Sequence, residues 1–132
     1  MYTMKQACKL TNLPYETLKF YCNEGLIPNI KRDKNNYRVF DERNIRWINN
    51  MQCLKRCGMS IKEMKDYLKL CLEGQPTIPA RMEMLAKHRK ELLAKINELN
   101  ENLAHLDYKN EFYQNVLDGK IPYKSDLIRT DD

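Results

Sequence analysis

Residues 3–27 read TMKQACKLTNLPYETLKFYCNEGLI, and this stretch decides the fold. Thr3 and Gln6 have the spacing of a capping box, in which the hydroxyl accepts from the backbone of Gln6 while Gln6 reaches back. Ala7 and Leu10 then share one face, so a short helix of about two turns is expected. Thr11-Asn12-Leu13-Pro14 breaks it, because Asn12 tolerates a left-handed backbone and Pro14 suits a helix beginning. A second helix is expected from Tyr15 to about Glu24, with Leu18, Tyr21 and Phe20 turned inward and Gly25 as its C-terminal stop. Two short helices joined by a tight turn are a helix-turn-helix candidate.

Working outward, the periodicity changes between Pro28 and Phe40. Asn29-Ile30-Lys31-Arg32 and Tyr37-Arg38-Val39-Phe40 flank the turn formers Asp33-Lys34-Asn35-Asn36, which predicts a small hairpin. It carries Lys31, Arg32, Lys34 and Arg38 against one acid, a basic ribbon beside the second helix, or wing. Asp41 caps a third helix ending at Gly58, and Ser60 with Glu63 makes another capping box for a fourth ending near Gly74.

After Gln75-Pro76-Thr77 a single long helix is expected from about Pro79 to Leu117, without an internal Gly or Pro, extending roughly 57 Å. Along it Ile78, Met82, Leu85, Arg89, Leu92, Ile96, Leu99, Leu103, Leu106, Asn110 and Tyr113 follow alternating steps of four and three, a heptad seam. Such a helix has no core of its own. The seam takes either the same helix of a second chain, the shorter explanation, or the third and fourth helices of its own domain. This divides the chain into a winged helix-turn-helix domain (1–76), a dimerisation coiled coil (77–117) and a short C-terminal tail (118–132).

With 132 residues the chain is one small domain plus an extension, which excludes a large multidomain enzyme. Its mean hydropathy of -0.73, the lack of an apolar run of about 18 residues and the lack of an apolar signal core point to a cytoplasmic protein that does not enter membranes. The formal charge of +5 is unevenly spread: residues 1–76 hold 14 basic and 8 acidic groups, residues 111–132 hold 3 and 5. A polyanion would therefore meet the N-terminal half. The five cysteines are all at or before Cys71 and none forms a CxxC pair, so reduced thiols fit better than a disulfide scaffold. No acid pair, activated nucleophile or glycine-rich phosphate loop stands at a usable spacing, so the chain is not read as an enzyme and no cofactor is expected.

A helix-turn-helix lays its second helix in the major groove of double-stranded DNA while neighbouring cations fix the register on phosphates. Tyr15, Glu16, Thr17 and Lys19 occupy the exposed beginning of that helix, and Arg32, Lys34 and Arg38 reach phosphates beside the groove. Tyr21 and Tyr37 offer hydroxyl donors on rigid rings, or else are partly buried core residues.

The run Thr17-Leu18-Lys19-Phe20-Tyr21-Cys22-Asn23-Glu24-Gly25-Leu26-Ile27, then Asn36-Tyr37-Arg38-Val39-Phe40-Asp41, then Leu54-Lys55-Arg56-Cys57-Gly58-Met59-Ser60-Ile61-Lys62-Glu63-Met64 resembles MerR-type transcription regulators. The resemblance covers almost the whole chain. The commoner words of that family are Leu-Arg-Tyr-Tyr-Glu, Gly-Tyr-Arg and Gly-Met/Phe-Ser, followed by a long dimerisation helix. Lys19 stands where Arg is usual, keeping the charge and losing the bidentate fork. Cys22 replaces Glu, and Asn36 replaces the turn Gly, an exchange that positive φ allows.

The resemblance implies a homodimeric, ligand- or stress-responsive regulator joined by an antiparallel coiled coil, with Leu92, Ile96, Leu99, Leu103 and Leu106 in the interface. It also implies binding to a pseudo-palindrome in a promoter with an overlong spacer, distortion of that DNA, and engagement of RNA polymerase. An architectural DNA-binding protein of phage or plasmid type, without effector, is the alternative; a coiled-coil adaptor that never touches DNA is a third reading. Metal-sensing members place cysteines in and after the long helix, where this chain has none, and Cys53 with Cys57 would need further ligands, so no metal site is expected. His88 and His105 are read as solvated. Multidrug-binding members carry a large further domain that the tail cannot form.

Thiol chemistry remains. Projection at about 100° per residue puts Trp47, Met51, Leu54 and Ile48 on the buried face of the third helix and Cys53 on the other, near Arg46, Asn49 and Arg56. Neighbouring cations favour a thiolate, and some MerR relatives look like electrophile or aldehyde sensors with a cysteine in this helix. Cys53 is thus a candidate sensor, or a small residue tucked under the partner's coil. The effector's identity is not legible.

Overall fold

The computed structural model describes residues 1–129, so the end of the expected tail, residues 130–132, lies outside the described residues. Thr3 closes its capping box, its hydroxyl accepting from Gln6 N at 3.2 Å while Gln6 Oε1 accepts from Thr3 N at 2.9 Å. Helix α1 (Met4–Thr11) follows and ends at Asn12, which adopts φ 57. Helix α2 (Tyr15–Asn23) begins directly behind Pro14.

The wing is shorter than expected. Asn29 is left-handed at φ 63, which a strand does not accommodate, so pairing starts later, between β2 (Lys31–Arg32) and β3 (Arg38–Phe40). Lys31 stands opposite Val39 and Arg32 opposite Arg38 in an antiparallel register. An additional strand, Tyr2–Thr3, here β1, pairs with the other edge of β3, giving the order β1-β3-β2. Two residues are too few to display alternation in sequence, so this strand was not legible there.

Asp41 and Asn44 cap α3 (Glu42–Arg56) reciprocally at 2.8 and 2.9 Å. Ser60 and Glu63 do the same for α4 (Ile61–Glu73) at 3.1 and 3.3 Å. A 3-10 turn (Gln75–Thr77) leads into α5, 40 residues from Ile78 to Leu117.

The chain forms two units, residues 1–90 and the residues from 91 on. In the first, Leu18, Tyr21, Leu26, Phe40, Ile48, Met51 and Met64 are fully enclosed. Three expectations are corrected. Phe20 is exposed, because the tight packing of Leu18 and Tyr21 already fills the inward face of α2. The buried face of α3 includes Asn44 and Ile45, whereas Trp47 sits half-buried at the rim and its indole N–H donates to Leu26 O at 2.8 Å. His88, read as solvated, is 4% exposed.

His88 belongs to a second face of α5. Arg81 donates to Thr77 Oγ1 at 3.0 Å and to Gly74 O at 2.6 Å, and Thr77 Oγ1 donates to Leu70 O at 2.6 Å. Met84 packs on the core, and His88 Nε2 lies 2.6 Å from Glu63 Oε2. Residues 81, 84 and 88 share one stripe at helical spacing. The neighbouring stripe, Ile78, Met82, Leu85 and Arg89, is the start of the heptad seam and stays exposed. Packing on the chain's own domain therefore uses a different face from the seam.

In the second unit Leu92 is half-buried, and Ile96, Leu99, Leu103 and Leu106 are 51–61% exposed. After Leu117 the chain turns at Gly119, with Lys120 N donating to Asn115 O at 2.9 Å. No helix among the described residues is long and apolar enough to cross a membrane.

Candidate nucleic-acid interface

The exposed beginning of α2 carries Tyr15, 53% exposed, with Glu16 and Lys19 beside it and Thr17 half-buried. Lys19 Nζ lies 6.0 Å from the centre of the Tyr15 ring, a weak cation–π contact that keeps the ammonium on this face. Pro14, the N-cap of α2, offers no side-chain hydrogen bond to the first amides of the helix.

The wing is stiffened at its tip rather than left as a floppy loop. Asp33 Oδ1 accepts from Asn35 N at 2.9 Å and from Tyr37 N at 3.0 Å, and Arg32 donates to Asn36 O at 2.8 Å. Asn36 takes φ 66, the conformation for which glycine is the usual choice and Asn the next. Tyr37 is 70% exposed. Arg38, half-buried, donates from Nη2 to Asn23 Oδ1 at 2.7 Å, which ties the wing to the end of α2.

These elements enclose a groove of roughly 420 Å³ whose lining includes Tyr15, Arg32, Tyr37 and Arg38, four residues selected from sequence, together with Thr3 and Lys5. Thr3 and Lys5 were missed because β1 brings the chain's beginning against the wing across nearly forty positions, a pairing invisible to local spacing. A second depression of about 410 Å³ lies along the other side of α2, lined by Leu13, Thr17, Tyr21, Gln52, Lys55 and Arg56. Gln52 fixes it, its amide donating to Thr11 O at 2.8 Å. Lys55 and Arg56 thereby flank Thr17, two cations that helix-turn-helix spacing alone does not select. Lys34, at the exposed wing tip, lines neither hollow.

Tyr21 is corrected. Its ring is 2% exposed in the core, with Lys55 Nζ 5.9 Å from its centre, so its work is to hold α2 in place.

Cys22 sits under this surface. Burial pushes its thiol up while Arg38 and, more weakly, Arg32 pull it down; burial also raises Cys8. Cys53 is exposed on α3. Among the described residues no three His, Cys, Asp or Glu side chains gather into a group fit to hold a metal ion.

The chain is similar to known proteins along nearly its whole length. The sequence model of the family described as MerR HTH family regulatory protein matches residues 2–71, and that described as MerR, DNA binding, matches residues 45–108. An uncharacterized HTH-type transcriptional regulator of Haemophilus influenzae is 36% identical over 113 residues, 86% of this chain and 84% of the relative. The HTH-type transcriptional regulator AdhR of Bacillus subtilis is 38% identical over 88 residues, 67% of this chain and 63% of the relative. Among solved structures, HiNmlR, a MerR family regulator lacking the sensor domain and bound to promoter DNA, superposes with a TM-score of 0.74 at 36% identity, covering 87% of this chain and 91% of that one. A putative MerR family transcriptional regulator from Listeria monocytogenes gives 0.79 at 36% identity and 89% coverage of both. With a family model over more than half of its residues and relatives 36% identical over most of its length, the chain belongs to the MerR family of DNA-binding transcription regulators.

Proposed function

We propose that the protein acts as a homodimer on a pseudo-palindromic promoter element. Residues 1–76 bind DNA, 77–117 dimerise, and 118–132 form a tail. Tyr15, Thr17 and Lys19 meet base edges and the adjoining backbone, Arg32, Lys34 and Arg38 meet phosphates, and Tyr37 donates from the wing. Thr3, Lys5, Lys55 and Arg56 extend the contact on either side of α2. The carrying observation is that four independently selected residues line one groove between the helix and the wing. The seam of Leu92, Ile96, Leu99, Leu103 and Leu106 joins two copies as an antiparallel coiled coil, since a line of apolar side chains at seam spacing stands open in the single chain.

HiNmlR, a MerR family regulator whose structure covers 87% of this chain, is bound to promoter DNA, which supports direct action on a promoter. The output is a bent and untwisted promoter that RNA polymerase engages. The protein works by binding rather than catalysis, in the cytoplasm, where promoter DNA is found in bacteria such as the relatives' hosts. Cys53, exposed and followed by Lys55 and Arg56, is the thiol through which an electrophile signals.

Selection of duplexes from a random library, followed by titration of the best one at several salt concentrations, tests this reading. The expected result is a pseudo-palindrome whose log affinity falls linearly with log salt. Sequence- and salt-independent retention would overturn it.

A further inference from the structure

Arg32 and Arg38 face each other across the wing, paired directly in the antiparallel register. Residues so paired put their side chains on one face of the ribbon, and two like charges there repel. A carboxylate beside them would be the ordinary remedy, yet among the described residues neither guanidinium takes part in an ion pair. Each is held by a neutral oxygen instead: Arg32 by Asn36 O at 2.8 Å and Arg38 by Asn23 Oδ1 at 2.7 Å. The adjacent acids are engaged elsewhere. Asp33, next to Arg32, accepts from the backbone amides of Asn35 and Tyr37 through Oδ1, and Glu24, next to Asn23, accepts from Lys65 Nζ at 2.8 Å.

Of the two neutral partners, Asn23 is the one that reaches between elements. It is the last residue of α2, fifteen positions before Arg38. The chain around it is fixed, because Glu24 N donates to Phe20 O at 2.9 Å and Leu26 O accepts from the Trp47 indole at 2.8 Å. An exposed amide on a braced helix end thus holds a cation that lines the groove between helix and wing. Its neutrality matters. A charge-assisted bond to an amide oxygen orients a guanidinium without cancelling its charge, whereas a carboxylate at the same place would do both. A guanidinium also has more donors than one amide oxygen can take.

We propose that Asn23 is a positioning residue for DNA binding: as a neutral tether it holds the Arg38 guanidinium, charge intact, where a backbone phosphate of the duplex meets it. Base reading by α2 and phosphate contact by the wing then keep one register. This rests on the reading of Arg38 as a phosphate contact above. A long cationic side chain loses rotamer freedom when it binds, and one ordered beforehand loses less. The whole device lies within residues 1–90.

The test is a double-substitution cycle on the full chain. Affinity for the duplex selected by the wild type is measured at several salt concentrations, and each variant's folding is followed by thermal unfolding. Asn23→Ala should weaken binding about three- to tenfold in the presence of Arg38 and by less than about twofold in the Arg38→Ala protein. Asn23→Asp keeps the tie and should not lower the unfolding midpoint. It should nevertheless bind more weakly than Asn23→Ala and reduce the salt slope by about 1, because the carboxylate neutralises the charge that the phosphate would otherwise meet. A bond that only braced the wing would lower the midpoint of Asn23→Ala and leave affinity untouched. That outcome overturns the inference, as do equal losses from Asn23→Ala with and without Arg38, or an Asn23→Asp protein with the affinity and salt slope of the wild type. Should Arg38→Ala fail to fold, the contrast between Asn23→Ala and Asn23→Asp decides. A folded Arg38→Ala protein that binds like the wild type would instead refute the underlying reading of the wing.

Discussion

Residues 1–90 and the residues from 91 on treat their apolar side chains in opposite ways. The first unit closes upon itself: three reciprocal capping boxes fix the beginnings of α1, α3 and α4, and a continuous core runs from Ala7 to Met64. The second has no buried residue in its helix, and its leucines other than Leu92 lie open. The core side chains of the first unit are covered by neighbours of the same chain, whereas Ile96, Leu99, Leu103 and Leu106 of the second stand exposed. The boundary falls inside α5, whose stripe of Arg81, Met84 and His88 faces inward while the adjacent stripe of Met82 and Leu85 faces out.

The largest expected effect tests the self-sufficiency of the first unit. Phe40 is fully enclosed where β3 meets α3, so Phe40→Ala should cost about 3–5 kcal/mol. Denaturant unfolding followed by far-ultraviolet circular dichroism measures it. A loss below about 1 kcal/mol would mean that the core of this unit is looser than its packing.

Next comes the dependence of the second unit on a partner. Leu99→Asp puts a carboxylate into the middle of the seam, and in a dimer it does so twice. Dissociation should be favoured by at least about 2–3 kcal/mol, or some 30- to 150-fold in Kd. Sedimentation should find monomers at micromolar concentration while the first unit remains folded. A dimer that persists would move the interface off the seam.

A smaller effect separates the wing from α2. Arg38→Ala should weaken binding to all duplexes alike, by about 1–2 kcal/mol, and reduce the salt slope by about 1, whereas Thr17→Ala should change the preference among sequences. Unaltered salt dependence in the Arg38 variant would place the wing away from the phosphates.

The pH dependence of folding should be smaller again. The hydrogen bond from His88 holds the Glu63 carboxyl below its ordinary range, with the backbone and hydroxyl of Ser60 adding to it. A folded-state value below the unfolded one, near 4.3 for Glu, contributes stability that is fully present above that pH and is lost as pH falls through the lower folded-state value. Comparing unfolding midpoints of wild type and Glu63→Gln from neutral pH downward should show this acid-side loss in the wild type and its reduction in the variant. Parallel curves would disconnect Glu63 from the titration.

The smallest effect is expected at Cys53. Cys53→Ser should leave DNA affinity within about twofold. In the wild type, Cys53 should be the fastest of the five thiols to react with iodoacetamide, since Cys8, Cys22, Cys57 and Cys71 are all partly buried. Uniform labelling, with an unchanged promoter response of the Ser variant to an aldehyde, would remove the thiol signal.

The sequence by itself determined whatever depends on neighbours a few positions apart. Thr3 with Gln6, Asp41 as a cap, and Ser60 with Glu63 are local hydrogen-bond reciprocities, so each helix start is written where it occurs. Asn12 and Asn36 announced left-handed turns, and the alternation of fours and threes announced the apolar stripe that stands exposed on α5. Tertiary structure alone decided the rest. Strand β1 exists only because β3 offers an edge to it, and that pairing carries Thr3 and Lys5 to the wing. Tyr21 and Phe20 are adjacent aromatics on a short helix, and which of them is buried depended on where α3 lay. His88 looked like one more polar residue on a charged helix. Its burial goes with a bond to Glu63, a residue 25 positions earlier, because a buried polar group is stable only where distant parts of the chain supply it with partners.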